Sequence, residues 1–194
     1  MGKPKYKLET IPVWDALEKV CECFLCDLMK EAETHGVDFY LGSSVMNPET
    51  RVKVNEHGFC SHHFSMLSEA QKAQGLALIC DTYLAESRNK LNKAFNNLLN
   101  TKAGRKCNND VKFFNLELQK REKGCLICTQ MKKRLDRYIY TIIYMCNTDD
   151  DFKNALKNSK GVCLHHYNEL IQNAVDVLGA KDGEKFIKFF TEIE

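Results

Sequence analysis

Apolar residues recur at three- and four-residue intervals along nearly the whole chain, while glycine, proline and β-branched runs are scarce, a pattern that predicts an all-α protein. Val13, Leu17, Val20, Phe24 and Leu28 form the first stripe behind a Thr10-Ile-Pro12 start, with Gly36 as its stop. Segment 37–57 reads as irregular: Gly42-Ser-Ser and Asn47-Pro48 are turn signals, and the alternation Val52-Lys-Val54 suits a short strand. A second helix is predicted from 60 to about 71. After Gly75 comes a long amphipathic helix through Leu76, Ile79, Tyr83, Leu84, Leu91, Phe95 and Leu98. The polar, turn-rich stretch 101–110 divides the chain into residues 1–105 and 106–194. The second half replays the first, with helices over 125–146, after Asp150 and over 163–178, and a last amphipathic piece through Phe186, Ile187, Phe189 and Phe190.

One ligand pattern occurs twice on this scaffold. Cys23-Phe-Leu-Cys26 precedes Gly58-Phe-Cys60-Ser-His62-His63, and Cys125-Leu-Ile-Cys128 precedes Gly161-Val-Cys163-Leu-His165-His166. The cysteine pairs are offset by 102 positions (125 minus 23) and the second motifs by 103 (163 minus 60). Asn55, Gly58, Met29 and Lys30 also match Asn158, Gly161, Met131 and Lys132 at these offsets. An internal duplication follows, and two copies are too few for a solenoid, so the expectation is a pseudo-symmetric pair of helical units sharing a core.

Side chains at i and i+3 of a helix share a face, so each cysteine pair, and each Cys-x-x-His, can aim two donors at one ion. Combining the motifs within each half gives one Cys₃His set from Cys23, Cys26, Cys60 and His63, and a second from Cys125, Cys128, Cys163 and His166. Three thiolates and an imidazole suit tetrahedral zinc, two ions per chain, with no position left open for catalysis. The 33 and 34 residues between half-sites make each ion a clamp between distant segments. Gly58 and Gly161, two residues before the ligand cysteine, mark turns that need unusual φ. Either member of each adjacent histidine pair could bind; the i, i+3 spacing favours His63 and His166 over His62 and His165.

A chain of 194 residues with 44% hydrophobic content can bury a real core. The basic start, residues 1–7, leads into no apolar export signal, and the longest apolar run, 139–146, is far shorter than the ~20 residues of a spanning helix. The expectation is therefore a cytoplasmic protein with no membrane segment, whose ten cysteines sit in a reducing compartment where spaced thiols bind metal. The formal charge of +2 falls near zero if each site deprotonates three thiols and takes up one divalent cation, so charge selects no partner.

Residues 15–38 carry seven acids and two bases, and residues 120–137 seven bases and two acids. These read as solvated helix faces; complementary packing of the two cysteine-pair helices is the sharper hypothesis. The basic run 132–137 lacks an interleaved aromatic platform, so nucleic acid is not the expected partner. Phosphate-binding glycine loops, His-Glu-x-x-His, Gly-x-Ser-x-Gly and the deaminase His-x-Glu are absent from the sequence, and neither cysteine pair has the strand-to-helix setting of a redox motif. Cys80 and Cys146 read as core residues, whereas Cys21 and Cys107 have no counterpart in the duplication.

Cys21-Glu-Cys23-Phe-Leu-Cys26, Gly58-Phe-Cys60-Ser-His-His63-Phe, Cys125-Leu-Ile-Cys128 and Gly161-Val-Cys163-Leu-His-His166 resemble the motifs of a bacterial family, domain-of-unknown-function family 6062, over nearly the whole chain. The resemblance implies a soluble bacterial protein, supports His63 and His166 as ligands, and brings no activity. It also implies that members continue past Glu194, where this chain stops in mid-pattern. The function expected is a zinc-fixed helical scaffold for a protein partner. The alternatives are a thiol-based redox or metal sensor that releases zinc on oxidation, and a nucleic-acid-binding protein.

Overall fold

The first apolar stripe is broken in two by a turn through residues 18–23. In the computed structural model, which describes residues 7–193, α1 (Thr10–Leu17) ends before Val20, which is 92% exposed, and α2 (Phe24–Leu41) starts directly after Cys23. The basic residues 1–6 and Glu194 lie outside the described residues. Gly36 is inside α2 rather than at its end. A Cβ there would stand 3.1 Å from Cγ2 of Ile127, so this glycine allows a close helix contact instead of a stop.

The segment expected to be irregular is also helical. The Asn47 side chain accepts from the Thr50 N–H at 3.1 Å and Pro48 opens α3 (Pro48–His57), the usual cap and first-turn chemistry of a helix start. Val52 and Val54 then fall on different faces of that helix, 56% and 3% exposed, which produces the alternation that resembled a strand. The order continues with α4 (Ser61–Glu69), α5 (Ala73–Leu99), α6 (Arg105–Lys123), α7 (Leu126–Thr148), α8 (Asp150–Lys157), α9 (Leu164–Leu178) and α10 (Ala180–Ile193). Two short 3₁₀ turns, Lys7–Glu9 and Ser43–Met46, complete it, and no strand occurs among the described residues.

Two compact units account for the chain, residues 1–33 with 131–194 and residues 34–130, and the backbone passes between them inside α2 and inside α7. The line drawn at 105/106 falls within the second of these, at the start of α6. In the first unit Val13, Leu17, Phe24, Leu25 and Leu28 pack with Leu135, Ile139, Ile142, Ile143, Phe152, Leu170 and Phe190. Asp149 caps α8 by accepting from the Asp151 and Phe152 N–H groups, and that helix delivers Phe152, wholly buried, edge-on to Trp14 at 5.1 Å. Gly179 (φ 79°) reverses the chain between α9 and α10, and Gly183 lets the two approach until a Cβ would lie 2.9 Å from Cα of Val175. Here Lys19 pairs with Asp27 and Glu31, Lys132 with Asp136 and Glu169, and Arg137 with Glu9.

The second unit buries Val37, Tyr40, Leu41, Val45, Val54, Leu67, Ile79 and Ala94, with Ile127 at 0% exposure. Helices α5 and α6 form its hairpin through the turn at Gly104 (φ 98°). Glu117 of α6 is 5% exposed and is held by Lys120 at 2.9 Å and Arg121 at 3.2 Å. Among the described residues no helix is long and apolar enough to cross a membrane.

Candidate metal centres

Each cysteine pair sits at a helix start. Cys23 immediately precedes α2 and Cys26 is its third residue; Cys125 and Cys128 stand in the same places at α7. The Cys26 N–H points at Sγ of Cys23 at 3.3 Å and the Cys128 N–H at Sγ of Cys125 at 3.5 Å, so the first sulfur of each pair is steadied by the backbone of the second. The Cys-x-x-His motifs occupy two further helix starts. Cys60 is the N-cap of α4 and Cys163 the N-cap of α9, with His63 and His166 three residues on. Both preceding glycines have positive φ, 65° at Gly58 and 75° at Gly161, the left-handed turn into the helix that the sequence predicts. A Cβ on Gly58 would also meet the Tyr83 ring at 2.8 Å.

The eight donors gather into two clusters, and the motifs are exchanged between them. Cys23 and Cys26 meet Cys163 and His166, while Cys125 and Cys128 meet Cys60 and His63, the donor atoms in each set lying within 4.8 Å of one another. The pairing expected within each half, Cys23/Cys26 with Cys60/His63 and Cys125/Cys128 with Cys163/His166, is therefore corrected. Helix length supplies the reason. The 18 residues of α2, about 27 Å long, carry the chain out of the unit that holds Cys23 and Cys26 into the unit that holds Cys60 and His63, and the 23 residues of α7, about 35 Å, carry it from the unit of Cys125 and Cys128 into that of Cys163 and His166. The crossed cluster is fastened by the backbone too: the carbonyl of Gly58 accepts the Leu126 N–H at 3.1 Å, tying the approach to α4 to the first residue of α7.

Distances within the clusters test whether a metal fits. Tetrahedral zinc with bonds of ~2.3 Å to sulfur and ~2.05 Å to nitrogen requires S···S of ~3.8 Å and S···N of ~3.6 Å. Cys26 and Cys163 stand 3.7 Å apart, and Cys60 and Cys128 3.9 Å. Nδ1 of His166 lies 3.4, 3.5 and 3.4 Å from the sulfurs of Cys23, Cys26 and Cys163. Nδ1 of His63 lies 3.1, 3.2 and 3.3 Å from those of Cys60, Cys125 and Cys128. The two S···S spacings match a zinc tetrahedron, the S···N spacings are shorter than it by about 0.1 to 0.5 Å, less at His166 than at His63, and all ten cysteines are free thiols. The sulfur-facing nitrogens belong to His63 and His166, while His62 and His165 lie edge-on beside them at 5.1 and 5.2 Å between ring centres.

Electrostatics agree with a cation at the centre. Burial and the two neighbouring sulfurs push the Cys26 and Cys128 thiols up to about 12, so three thiolates stand together only when a positive charge joins them. Cys60 and Cys163 move the other way: burial opposes ionisation, but the backbone N–H groups of the first helical turn and the adjoining thiols outweigh it and lower both. Burial, reinforced by His165, holds His166 below the usual histidine value, in the neutral form that coordinates metals. Tyr40 borders the second cluster. Its hydroxyl meets the Gln130 amide at 2.9 Å, its ring stands edge-on to Phe59 at 5.0 Å, and burial together with the neighbouring Cys125 raises it to about 12. Cys146 is a buried core residue, and Cys21, Cys80 and Cys107 are partly buried outside both clusters.

An all-helical chain with two Cys₃His clusters of this spacing is a candidate metal-binding protein. It belongs to a family of unknown function, DUF6062, whose model matches residues 4–194. No curated protein and no solved structure matches the chain.

Proposed function

We propose that each cluster holds one zinc ion in a purely structural role, and that the resulting helical scaffold serves as a protein-interaction module. The observation that carries this reading is the donor spacing: S···S of 3.7 and 3.9 Å, against ~3.8 Å for a zinc tetrahedron. Three soft thiolates and one imidazole favour zinc over magnesium or calcium, which prefer oxygen ligands. Four protein donors leave no coordination position for a substrate. The ion supplies cohesion: Cys23, Cys26, Cys163 and His166 would fasten two remote parts of the sequence, and Cys60, His63, Cys125 and Cys128 two others. Matching local geometry at the two centres supports an internal duplication. A reducing compartment such as the cytoplasm belongs to this reading, because the thiolates must stay reduced.

Exposed apolar side chains on one face of α5, Leu84 at 63%, Phe95 at 49% and Leu99 at 82%, support contact with another protein. The ion pairs on Lys132 and Arg137 weigh against a phosphate-binding role for 132–137. Elemental analysis of protein purified without added metal tests the reading. About two zinc ions per chain are expected, with a melting temperature that falls when a strong chelator removes them. Absence of metal together with ten freely titrating thiols overturns it.

A further inference from the structure

Each cluster has an inside and an outside. Cys23 and Cys125 are 7% and 5% exposed, and His166 and His63 5% and 3%. Cys26 and Cys128 are the exposed sulfurs, and beside them, at 3.7 and 3.9 Å, stand the partly buried Cys163 and Cys60. An agent arriving from solvent thus meets two sulfurs that come from remote parts of the chain, while the other sulfur of each Cys-x-x-Cys lies beneath them, accepting a backbone N–H.

We propose that these outer pairs are oxidative modification sites, and that peroxide converts them into the crossed disulfides Cys26–Cys163 and Cys60–Cys128 in place of the metal. The inference rests on the metal reading for what is displaced, but the choice of sulfur pair can be read with or without the ion. In the first step the exposed Cys26 sulfur, a thiolate while it serves as a metal donor, attacks one peroxide oxygen, the O–O bond breaks, and Cys26 sulfenic acid and hydroxide form. The Cys163 thiolate then attacks the Cys26 sulfur; the S–S bond forms and the S–O bond breaks, releasing a second hydroxide. Two electrons pass from the thiolates to peroxide, the hydroxides take up two protons to give water, and a zinc ion left with two of its four donors departs without change of charge. Cys128 and Cys60 follow the same course.

The consequence differs from that of a Cys-x-x-Cys disulfide. Bonds Cys23–Cys26 and Cys125–Cys128 would each close within one helix start and set the Cys-x-x-His segment loose. The crossed bonds join the segments that the ions would join, so oxidation exchanges a metal clamp for a covalent one and the fold persists.

Limiting hydrogen peroxide, one equivalent per centre, followed by alkylation of remaining thiols, tryptic digestion and mass spectrometry, tests this. The crossed bonds link peptide 20–30 to 161–181 and peptide 54–72 to 124–132, whereas Cys-x-x-Cys bonds stay inside 20–30 and 124–132. The expected result is the two interpeptide links, located at Cys26 and Cys128 by fragmentation, one zinc released per link to a chromophoric chelator, and a higher melting temperature than for the reduced, metal-free protein. Links confined to 20–30 and 124–132, or first oxidation at Cys21, Cys80 or Cys107, overturn the proposal. A protein that carries no zinc beforehand defeats the metal reading instead, and the same peptide map on it still reports the sulfur pair. The variant Cys21→Ser should leave both links in place, which excludes Cys21 as the attacking sulfur in peptide 20–30.

Discussion

Replacing Cys60 by serine separates crossed clusters from clusters formed within each half. Cys60 caps α4, and its sulfur lies 3.1 Å from Nδ1 of His63 and 3.9 Å from the sulfur of Cys128. Structural zinc binds with about 10 to 16 kcal/mol, and an equal share for each of four donors is about 2.5 to 4 kcal/mol, or two to three orders of magnitude in affinity. The second centre should therefore empty at chelator concentrations that leave the first filled. Metal content falls from about two ions to about one, and the thiols that become open to alkylation are Cys125 and Cys128. Cys23, Cys26 and Cys163, gathered around His166, stay protected. Quantitative alkylation followed by peptide mapping reads this directly. Exposure of Cys23 and Cys26 in Cys60→Ser, with Cys125 and Cys128 still protected, would instead mean that the clusters form within each half.

Other perturbations probe the supporting structure. Gly58→Ala puts a Cβ at φ 65° and 2.8 Å from Tyr83, so it should cost more in thermal or urea stability than Gly104→Ala, where φ is 98° but no atom lies within 4 Å. Equal losses would show that the Tyr83 contact relaxes freely. Phe152→Ala should cost about 3 to 5 kcal/mol, because the ring is fully buried, and the emission of Trp14, the only tryptophan, should shift to the red; unchanged emission would contradict their edge-on contact. Burial would raise the Glu117 carboxyl, yet Lys120 and then Arg121 outweigh it and hold it below the usual carboxylate value. A group depressed on folding stabilises fully above its unfolded value of about 4.3 and loses that contribution as pH falls through the lower folded value. Glu117→Gln should accordingly destabilise by about 1 to 3 kcal/mol at neutral pH, with the difference from the parent shrinking at acid pH; a gap that stays constant with pH would remove the ion pairs from the explanation.

The donors themselves were legible because chemistry fixes their local spacing. An i, i+3 interval at a helix start aims two side chains at one point, so Cys23 with Cys26, or Cys60 with His63, can be picked from the chain without knowing the fold. What meets what was not legible. Each cysteine pair opens a helix whose length decides where the next motif lies, and the ends of α2 were hidden: Val20 extended the stripe backwards through a turn, and Gly36 imitated a stop while serving a contact with Ile127. The strand expected at Val52-Lys-Val54 arose from two valines on different faces of a short helix with little buried surface. Helix α6 is hidden in the sequence because Asn108, Asn109 and Asp110, together with its many lysines and arginines, mask the apolar period of Phe113, Phe114 and Leu118. The helices with strong, continuous periods, α5, α7, α9 and α10, stand close to where their patterns put them.

Anomalous diffraction at the zinc absorption edge, on crystals grown without added metal, tests the crossed metal centres most directly. Two peaks per chain are predicted, one bonded to Cys23, Cys26, Cys163 and His166 and one to Cys60, His63, Cys125 and Cys128, each ~2.3 Å from three sulfurs and ~2.0 to 2.1 Å from Nδ1. No peak at either cluster, or a single ion bridging Cys23 and Cys26 to Cys60 and His63, would contradict it.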